Sequence, residues 1–573
     1  MATAQEKPTI VRMDMLVNQR VPMRDGVTLA ARVWKPVGDG RYPVVMVQTP
    51  YLSDETHLRA RKFAAAGYVY VSVDRRGRGT SEGKFVPLAD SGRDGADAIA
   101  WLARQPWSDG RIVTRGGSYR GMVQWQTLAQ APSALVAAVP TASVYPGWDF
   151  PAPRGIPLPY MASWLAFTEG TARNTLVFRD SLYWRDKFLR VHRGEVTFDQ
   201  LARISGAPEG HFQRWLAHPG YDEYWRSINP KPAQYAKMTP PILSITGYFD
   251  GDQEGALRYY EEHQRFAPKA RAQQHVLLIG PWDHAGTRSP RKSVGGLEFN
   301  PRSVLDLDAL HIEWFDHVLR GRRRPKALAG RVNYYVIGAE EWRSAPSLDA
   351  VADEEWTLYL SSGGAAMDSL FASGKLIEEE SSDDGPSRFR FDPRIDREPE
   401  DWATREPPQD GYISQDDALR PDRLFFHSEP MTRSRTVCGR INLEAQISID
   451  VRDTDVEANL YELTARNRLR WLGGDRMRAR FRKGYDRERL AKPGALDTWN
   501  FNRFWWTCRR LEVGSRLRLV IGPSDSPAWQ KNYNTGGRIG FERPSDAQVA
   551  TITLHHSRDR PSILRLPTAS SPQ

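Results

Sequence analysis

The chain of 573 residues has 40% hydrophobic and 26% charged residues, a formal net charge of +10 and only two cysteines. These values fit a soluble enzyme of several domains, and 80 basic residues dispersed among 70 acidic ones, with no zinc-finger, RNA-recognition or basic-helix pattern, argue against a nucleic-acid partner. Cys438 and Cys508 supply neither a disulfide framework nor a CxxC metal site; with no apolar export segment after Met1 and no membrane-length apolar run, a cytoplasmic protein is expected.

Val17, Val21 and Met23 alternate onto one face of a first strand, and Asp25-Gly26 turns the chain into a second that ends near Trp34. Residues 42–49 and 68–74 are almost continuous apolar runs, which predicts strands buried on both faces. A helix rich in small residues separates them and ends at Gly67. The glycine-rich loop Asp74-Arg75-Arg76-Gly77-Arg78-Gly79-Thr80-Ser81-Glu82-Gly83 follows. Ala96, Ile99, Ala100 and Leu102 mark one face of a helix over 92–105. Further buried strands are read before Ser118, at 135–142, at 241–247 and at 275–280. This alternation predicts a parallel sheet with right-handed crossovers.

Residues 146–235 break the pattern. They are aromatic-rich and helical, with Trp148, Trp164, Trp184, Trp215, Tyr221, Tyr224 and Trp225, and read as an inserted cap. A helix over 305–319 closes the first domain, and Gly321-Arg322-Arg323-Arg324-Pro325 is a junction. Short, turn-bounded strands at 332–338, 356–360, 441–449 and 516–521 then predict a β-sandwich of jelly-roll type. Residues 378–410, charged and proline-rich, read as a surface excursion, and the basic run Arg478 to Lys483 as an edge strand. The organisation is thus an α/β domain over 1–145 and 236–325, a helical cap over 146–235 and an all-β domain over 326–573.

The stretch Arg111-Ile112-Val113-Thr114-Arg115-Gly116-Gly117-Ser118-Tyr119-Arg120-Gly121-Met122 passes from a strand to a helix through a serine flanked by glycines. An α/β-hydrolase presents its nucleophile on such a turn. The usual second glycine position holds Arg120, and the glycine falls one place later. A serine hydrolase also needs a base and an orienting acid, in the chain order Ser, Asp or Glu, His. The strand at 241–247 runs into Asp250, and the strand at 275–280 into His284, so Ser118, Asp250 and His284 form the candidate triad. Asp252 is a rival to Asp250. Asp283 is disfavoured because adjacent side chains point apart. The other eleven histidines are read as structural. The Tyr119 N–H is one oxyanion donor, and the Tyr51 hydroxyl is a candidate for the second, since Pro50 has no N–H.

Together these motifs resemble those of the CocE/NonD hydrolases, a group similar to X-Pro dipeptidyl-peptidases and α-amino-acid ester hydrolases. The resemblance rests on Gly116-Gly117-Ser118-Tyr119-Arg120-Gly121, the Asp74 to Gly83 loop, Gly247-Tyr248-Phe249-Asp250-Gly251 and Gly280-Pro281-Trp282-Asp283-His284. Trp314 to Gly321, Val336-Ile337-Gly338 and Asn532 to Gly537 extend it over nearly the whole chain. It implies an α/β-hydrolase domain with an inserted cap and a C-terminal jelly roll. It further implies Ser118 as nucleophile, Asp250 as orienter, His284 as base, Tyr51 as oxyanion donor and hydrolysis of an ester or amide through an acyl-enzyme.

The substrate is less legible. Asp252 and Glu254 follow the acid where α-amino-ester hydrolases place carboxylates for a substrate ammonium, whereas Arg120 suits an anionic acyl group. Trp148, Trp164 and Phe167 are candidate acyl-pocket residues. A different class of reading is a carbohydrate-binding sandwich with Trp505, Trp506 and Trp529 as stacking faces. No metal or cofactor motif is evident, a small-molecule substrate is the expected partner, and a homo-oligomer is left open.

Overall fold

The computed structural model describes residues 12–362, 373–380, 385–396 and 422–570. The strands β1 (Met13–Pro22), β2 (Thr28–Pro36), β3 (Tyr42–Thr49), β4 (Val69–Asp74), β5 (Ser108–Gly117), β6 (Leu135–Thr141), β7 (Ile242–Phe249) and β8 (His275–Asp283) form one sheet in the order β1-β2-β4-β3-β5-β6-β7-β8. From β4 to β8 every neighbouring pair is parallel. The parallel part has helices on both faces, so its strands are apolar throughout. Val44 and Met46 point into a core shared with Ile99, Leu102 and Trp125. Val45 and Val47 point into the opposite core with Phe63, Leu310 and Phe315. Each such valine contributes about 1.5–3 kcal/mol by burial, so a charge at Val45 would break the layer.

The Asp25-Gly26 hairpin forms, with the Gly26 N–H donating to the Met23 carbonyl at 3.0 Å. The expected alternation before it does not persist. A register shift between Leu16 and Gln19, with Asn18 at φ 52°, inserts a bulge that turns Val17 outward while Val21 and Met23 stay buried.

The strand at Val332–Val336, which from sequence opens the sandwich, instead pairs in parallel with β8. Glu341–Ala345 then pairs with it to close the edge of the hydrolase sheet. A short apolar strand carries no record of which sheet edge it joins, and the free edge of β8 is adjacent. Immediately beyond, the Ile337 N–H donates to the Cys508 carbonyl at 3.0 Å, linking this sheet to the sandwich.

The cap is built of short helices between Tyr160 and Tyr235, packed on Trp164, Trp184, Phe212, Trp215 and Trp225. The all-β domain surrounds a core including Trp356, Leu443, Leu460, Trp499 and Phe501. Asn442–Ile449 alternates strictly between half-buried and buried positions, as a strand with one face on the core must.

Three expectations need correction here. Cys438 and Cys508 lie opposite each other on paired strands and form a disulfide; strand register, invisible at a separation of 70 residues, brings them together. Within the 378–410 stretch, Ser387–Phe391 is a strand paired with Ala550–His555; residues 381–384 and 397–410 lie outside the described residues. The basic run starts, as expected, in an edge strand, but that strand ends at Arg478 and the chain turns at Ala479–Phe481; Arg478 and Arg480 are buried, with Arg478 paired to Asp455 at 2.7 Å and Arg480 to Asp453 at 2.8 Å. The Asn532 amide donates to both of those aspartates, at 2.8 and 3.1 Å.

Candidate active site

Five of the parallel strands deliver side chains to one end of the sheet, the carboxyl end where open α/β sheets hold their ligands. After β5 the chain makes its sharp turn at Ser118, whose φ of 63° and ψ of −128° lie outside the ordinary regions for a non-glycine residue. Such a conformation costs about 1–3 kcal/mol. It is held by the Ser118 N–H donating to the carbonyls of Thr141 and Ala142, both at 3.0 Å. The helix α1 (Tyr119–Leu128) starts at once, so the Tyr119 N–H has no acceptor within the helix.

The displaced glycine now has a physical reason. A Cβ on Gly121 would stand 2.4 Å from Ser143 Oγ and 2.8 Å from the Thr141 carbonyl. The helix packs against the segment after β6 at position 121, while Arg120 has room for its side chain.

Asp250 follows β7 and is fully buried. His284 follows β8, and its Nδ1 lies 2.7 Å from Asp250 Oδ1. The Asp252 N–H also donates to Asp250 Oδ1, at 3.0 Å. The rival acid Asp283 is turned to Arg291, at 2.9 Å. The Ser118 hydroxyl donates to Asp252 Oδ2 at 3.5 Å, and that carboxylate lies 3.6 Å from His284 Nδ1. Asp250, Asp252 and His284 each offer a ligand atom within 4.8 Å of the others, close enough to surround a cation as well as a proton.

Burial and the Arg288 guanidinium push the His284 pKa down, but Asp250 and Asp252 together outweigh them and leave it above the ordinary histidine value. Burial raises Asp252 to about 6; the His284 charge opposes this and Asp250 adds to it.

Tyr51 lies just after β3, with its hydroxyl accepting from Trp164 Nε1 at 3.2 Å. The hydroxyl proton therefore remains free to donate. The Tyr51 ring stacks on Phe167 with centroids 5.1 Å apart, and Trp164 stacks on Tyr119 at 5.7 Å. Burial raises the Tyr51 pKa to about 12, so it stays a neutral donor. The Asp74 to Gly83 loop fixes this tyrosine. Arg78 donates to the Pro50 carbonyl at 2.8 Å and to the cap carbonyls of Thr168 and Ala172, both at 2.8 Å.

The remaining candidates separate. Trp148 lies between the guanidiniums of Arg258 and Arg503, 3.6 and 3.9 Å from its ring centre. Glu254 is ion-paired with Arg503 and so is already neutralised. Arg120 is buried, its guanidinium 5.6 Å from the centre of the Tyr51 ring and 3.9 Å from Glu55. In the sandwich, Trp506 is buried against Tyr248, Trp505 meets Trp471 edge-on, and Trp529 is covered by Arg476 at 3.9 Å. These three do not form a common exposed platform. Trp506 instead braces the acid loop. The Gln253 amide donates to its carbonyl at 2.9 Å, and its N–H donates back to Gln253 at 2.7 Å.

Two residues at the site escaped the sequence reading. Arg288 Nη1 stands 3.4 Å from His284 Nε2. Asp149 is buried and accepts from the Tyr145 N–H at 2.9 Å; burial, then the charges of Asp252 and Glu254, lift its pKa well above the carboxylate range. The available signals were weak: an arginine four residues after His284, and an acid set among cap aromatics.

Comparison with known proteins matches two long stretches of the chain to one family. The model of the X-Pro dipeptidyl-peptidase (S15) family matches residues 25–286, and that of the X-Pro dipeptidyl-peptidase C-terminal non-catalytic domain matches residues 326–565. The chain carries the catalytic and C-terminal domains of the X-Pro dipeptidyl-peptidase (S15) family of serine hydrolases. This hydrolase is 27% identical over 578 aligned residues to a cocaine esterase of Rhodococcus sp. (strain MB1 Bresler), covering 96% of this chain and 98% of the relative. Its fold is shared with an aminopeptidase from a marine sediment Thaumarchaeota archaeon, at 22% identity and a TM-score of 0.84, covering 100% of this chain and 99% of the other. An α-amino acid ester hydrolase has the same fold at 21% identity and a TM-score of 0.83, covering 99% of both chains. The hydrolase cleaves ester or amide bonds, and none of its described helices is long and apolar enough to cross a membrane.

Proposed function

We propose that the hydrolase works through Ser118, His284 and Asp250 by way of an acyl-enzyme. The observation that carries this reading is the 2.7 Å contact of His284 Nδ1 with Asp250, beside a serine held in a strained turn at a helix start. The Ser118 hydroxyl turns from Asp252 toward His284 Nε2, gives up its proton there and attacks the substrate carbonyl. Negative charge on that oxygen is met by the Tyr119 N–H and the Tyr51 hydroxyl. His284 then protonates the leaving alcohol or amine, and the acyl–Ser118 bond is hydrolysed by a water that His284 deprotonates. A fluorophosphonate probe labels the wild-type protein and not Ser118→Ala; equal labelling of both would sink the assignment.

A substrate with an α-ammonium group is favoured by one observation. Asp252 Oδ2 is 3.5 Å from the nucleophile, and its charge is felt by the buried carboxyl of Asp149. An ammonium on the acyl group would meet Asp252 as the carbonyl reaches Ser118. Phe167, stacked on Tyr51, supports an apolar acyl wall beside that charge.

A further inference from the structure

A small cavity of about 20 Å³ lies under the nucleophile turn, lined by Arg59, Arg115, Arg120, Arg288, Thr141 and His311 among others. A water needs about 10–15 Å³, so the cavity has room for one small guest. No carboxylate among the described residues lines it. The nearest carboxylate partners do not balance the arginines. Asp308 is divided among Arg115 at 2.8 Å, Arg59 at 3.0 Å and Lys62 at 3.1 Å. Among the described residues Arg120 is ion-paired only with the half-exposed Glu55, at 3.9 Å. Buried guanidiniums without counter-charge are costly in a low-dielectric interior.

The hydrogen-bonding character of the lining is one-sided. Arg115 Nη1, Arg120 Nε, Thr141 Oγ1 and His311 Nε2 are all buried and have no hydrogen-bond partner among the described residues. The Arg115 Nε–H donates to His311 Nδ1 at 3.0 Å. That contact makes Nδ1 the acceptor and leaves the ring proton on Nε2. Two guanidinium N–H groups, an imidazole N–H and a hydroxyl therefore lack acceptors around one small space. Of the other lining hydroxyls, that of Thr56 donates to the Ser53 carbonyl at 2.9 Å and that of Thr287 to the His284 carbonyl at 2.8 Å. A water would also have to donate, and this lining is dominated by donors. A spherical anion accepts from all four and supplies the missing charge.

We propose that this cavity is a binding site for a single small monovalent inorganic anion of halide size, held by Arg115, Arg120, Thr141 and His311. Arg288 connects it to the catalytic centre, since it lines the cavity and also reaches within 3.4 Å of His284 Nε2. Gly116 and Gly117 make the approach possible: a Cβ on Gly116 would stand 2.6 Å from Arg120 Cβ, and one on Gly117 3.0 Å from Arg288 Nη1.

The test uses the full chain freed of chloride and kept at constant ionic strength with sodium gluconate, whose anion is too large for the space. Replacing gluconate by bromide raises Tm along a saturating curve, as ligand binding to the folded state requires, and bromide-grown crystals give an anomalous peak among the four donors. Thr141→Val removes one donor without changing shape and moves the half-saturating bromide concentration up at least about tenfold, equivalent to about 1.4 kcal/mol. Arg120→Gln shifts it in the same direction and covers the case in which the valine variant does not fold. Identical melting in bromide and gluconate, an empty cavity in the anomalous map, or an unmoved half-saturation in both folded variants overturns the proposal. Equal stabilisation by phosphate, sensitive to the same variants, overturns the assignment to a halide-sized anion.

Discussion

The Asp252 carboxylate lies 3.5 Å from the Ser118 hydroxyl and accepts a hydrogen bond from this proposed nucleophile. The same oxygen stands 3.6 Å from His284 Nδ1. Asp252 is therefore placed to act on both the nucleophile and the base without replacing Asp250, whose 2.7 Å contact with His284 is the shorter one.

Replacing Asp252 by Asn should move the acid limb of the activity profile. Asp252 helps raise the His284 pKa, while Arg288 lowers it. In the proposed mechanism His284 acts as a base when unprotonated, so activity falls as pH drops through its pKa. Removing the Asp252 charge lowers that pKa and extends activity to lower pH; Arg288→Met does the reverse. The pH dependence of kcat/KM with a neutral ester measures both, and parallel shifts in one direction would contradict the arrangement.

The same Asp252→Asn variant discriminates substrates. A glycyl ester should lose about 10–100-fold in kcat/KM, as expected for one hydrogen bond to a charged group, while a neutral acyl ester of equal size loses far less. Equal losses for the two would remove the ammonium reading and leave the triad untouched.

Tyr51→Phe keeps the ring stacked on Phe167 and removes only the donor. A loss of about 10²–10³ in kcat with little change in KM is expected for one oxyanion donor. Steady-state kinetics decide it: a rise in KM alone would make Tyr51 a wall of the pocket.

Gly121→Ala should injure the site by backbone displacement. Its Cβ has no space beside Ser143 and the Thr141 carbonyl, so helix α1 must move together with the Tyr119 N–H. Loss of probe labelling with a lowered Tm is the expected result, whereas wild-type labelling would show that the packing there is loose.

Asp308 carries a measurable part of the acid stability. Burial alone would raise its pKa, but Arg115, Arg59, His311 and Lys62 hold the carboxyl well below the usual range. Its contribution is present above the unfolded value, near about 3.9, and is lost as pH falls toward the lower folded value. Asp308→Asn should cost about 3–5 kcal/mol at neutral pH, the usual effect of breaking a buried pair, and this difference from wild type should shrink as pH falls below about 4. Urea unfolding at several pH values reads this directly.

Local patterns in the sequence determined the backbone of the catalytic half. Runs buried on both faces located β3 to β8, and the serine between glycines located the elbow. Strand ends followed by Asp250 and His284 placed both residues at the same end of the sheet, because parallel strands share one carboxyl edge. Periodicity and turn chemistry act over a few residues, so they can be read without the fold. Tertiary structure alone decided what meets across the chain. It set Arg503 of the sandwich against Glu254 and Trp148, leaving Asp252 beside the nucleophile. It added the 332–336 strand to the hydrolase sheet, joined Cys438 to Cys508 and drew four arginines around the cavity beneath Ser118. Those contacts depend on strand register and on how domains dock, and residues hundreds of positions apart carry no local trace of either.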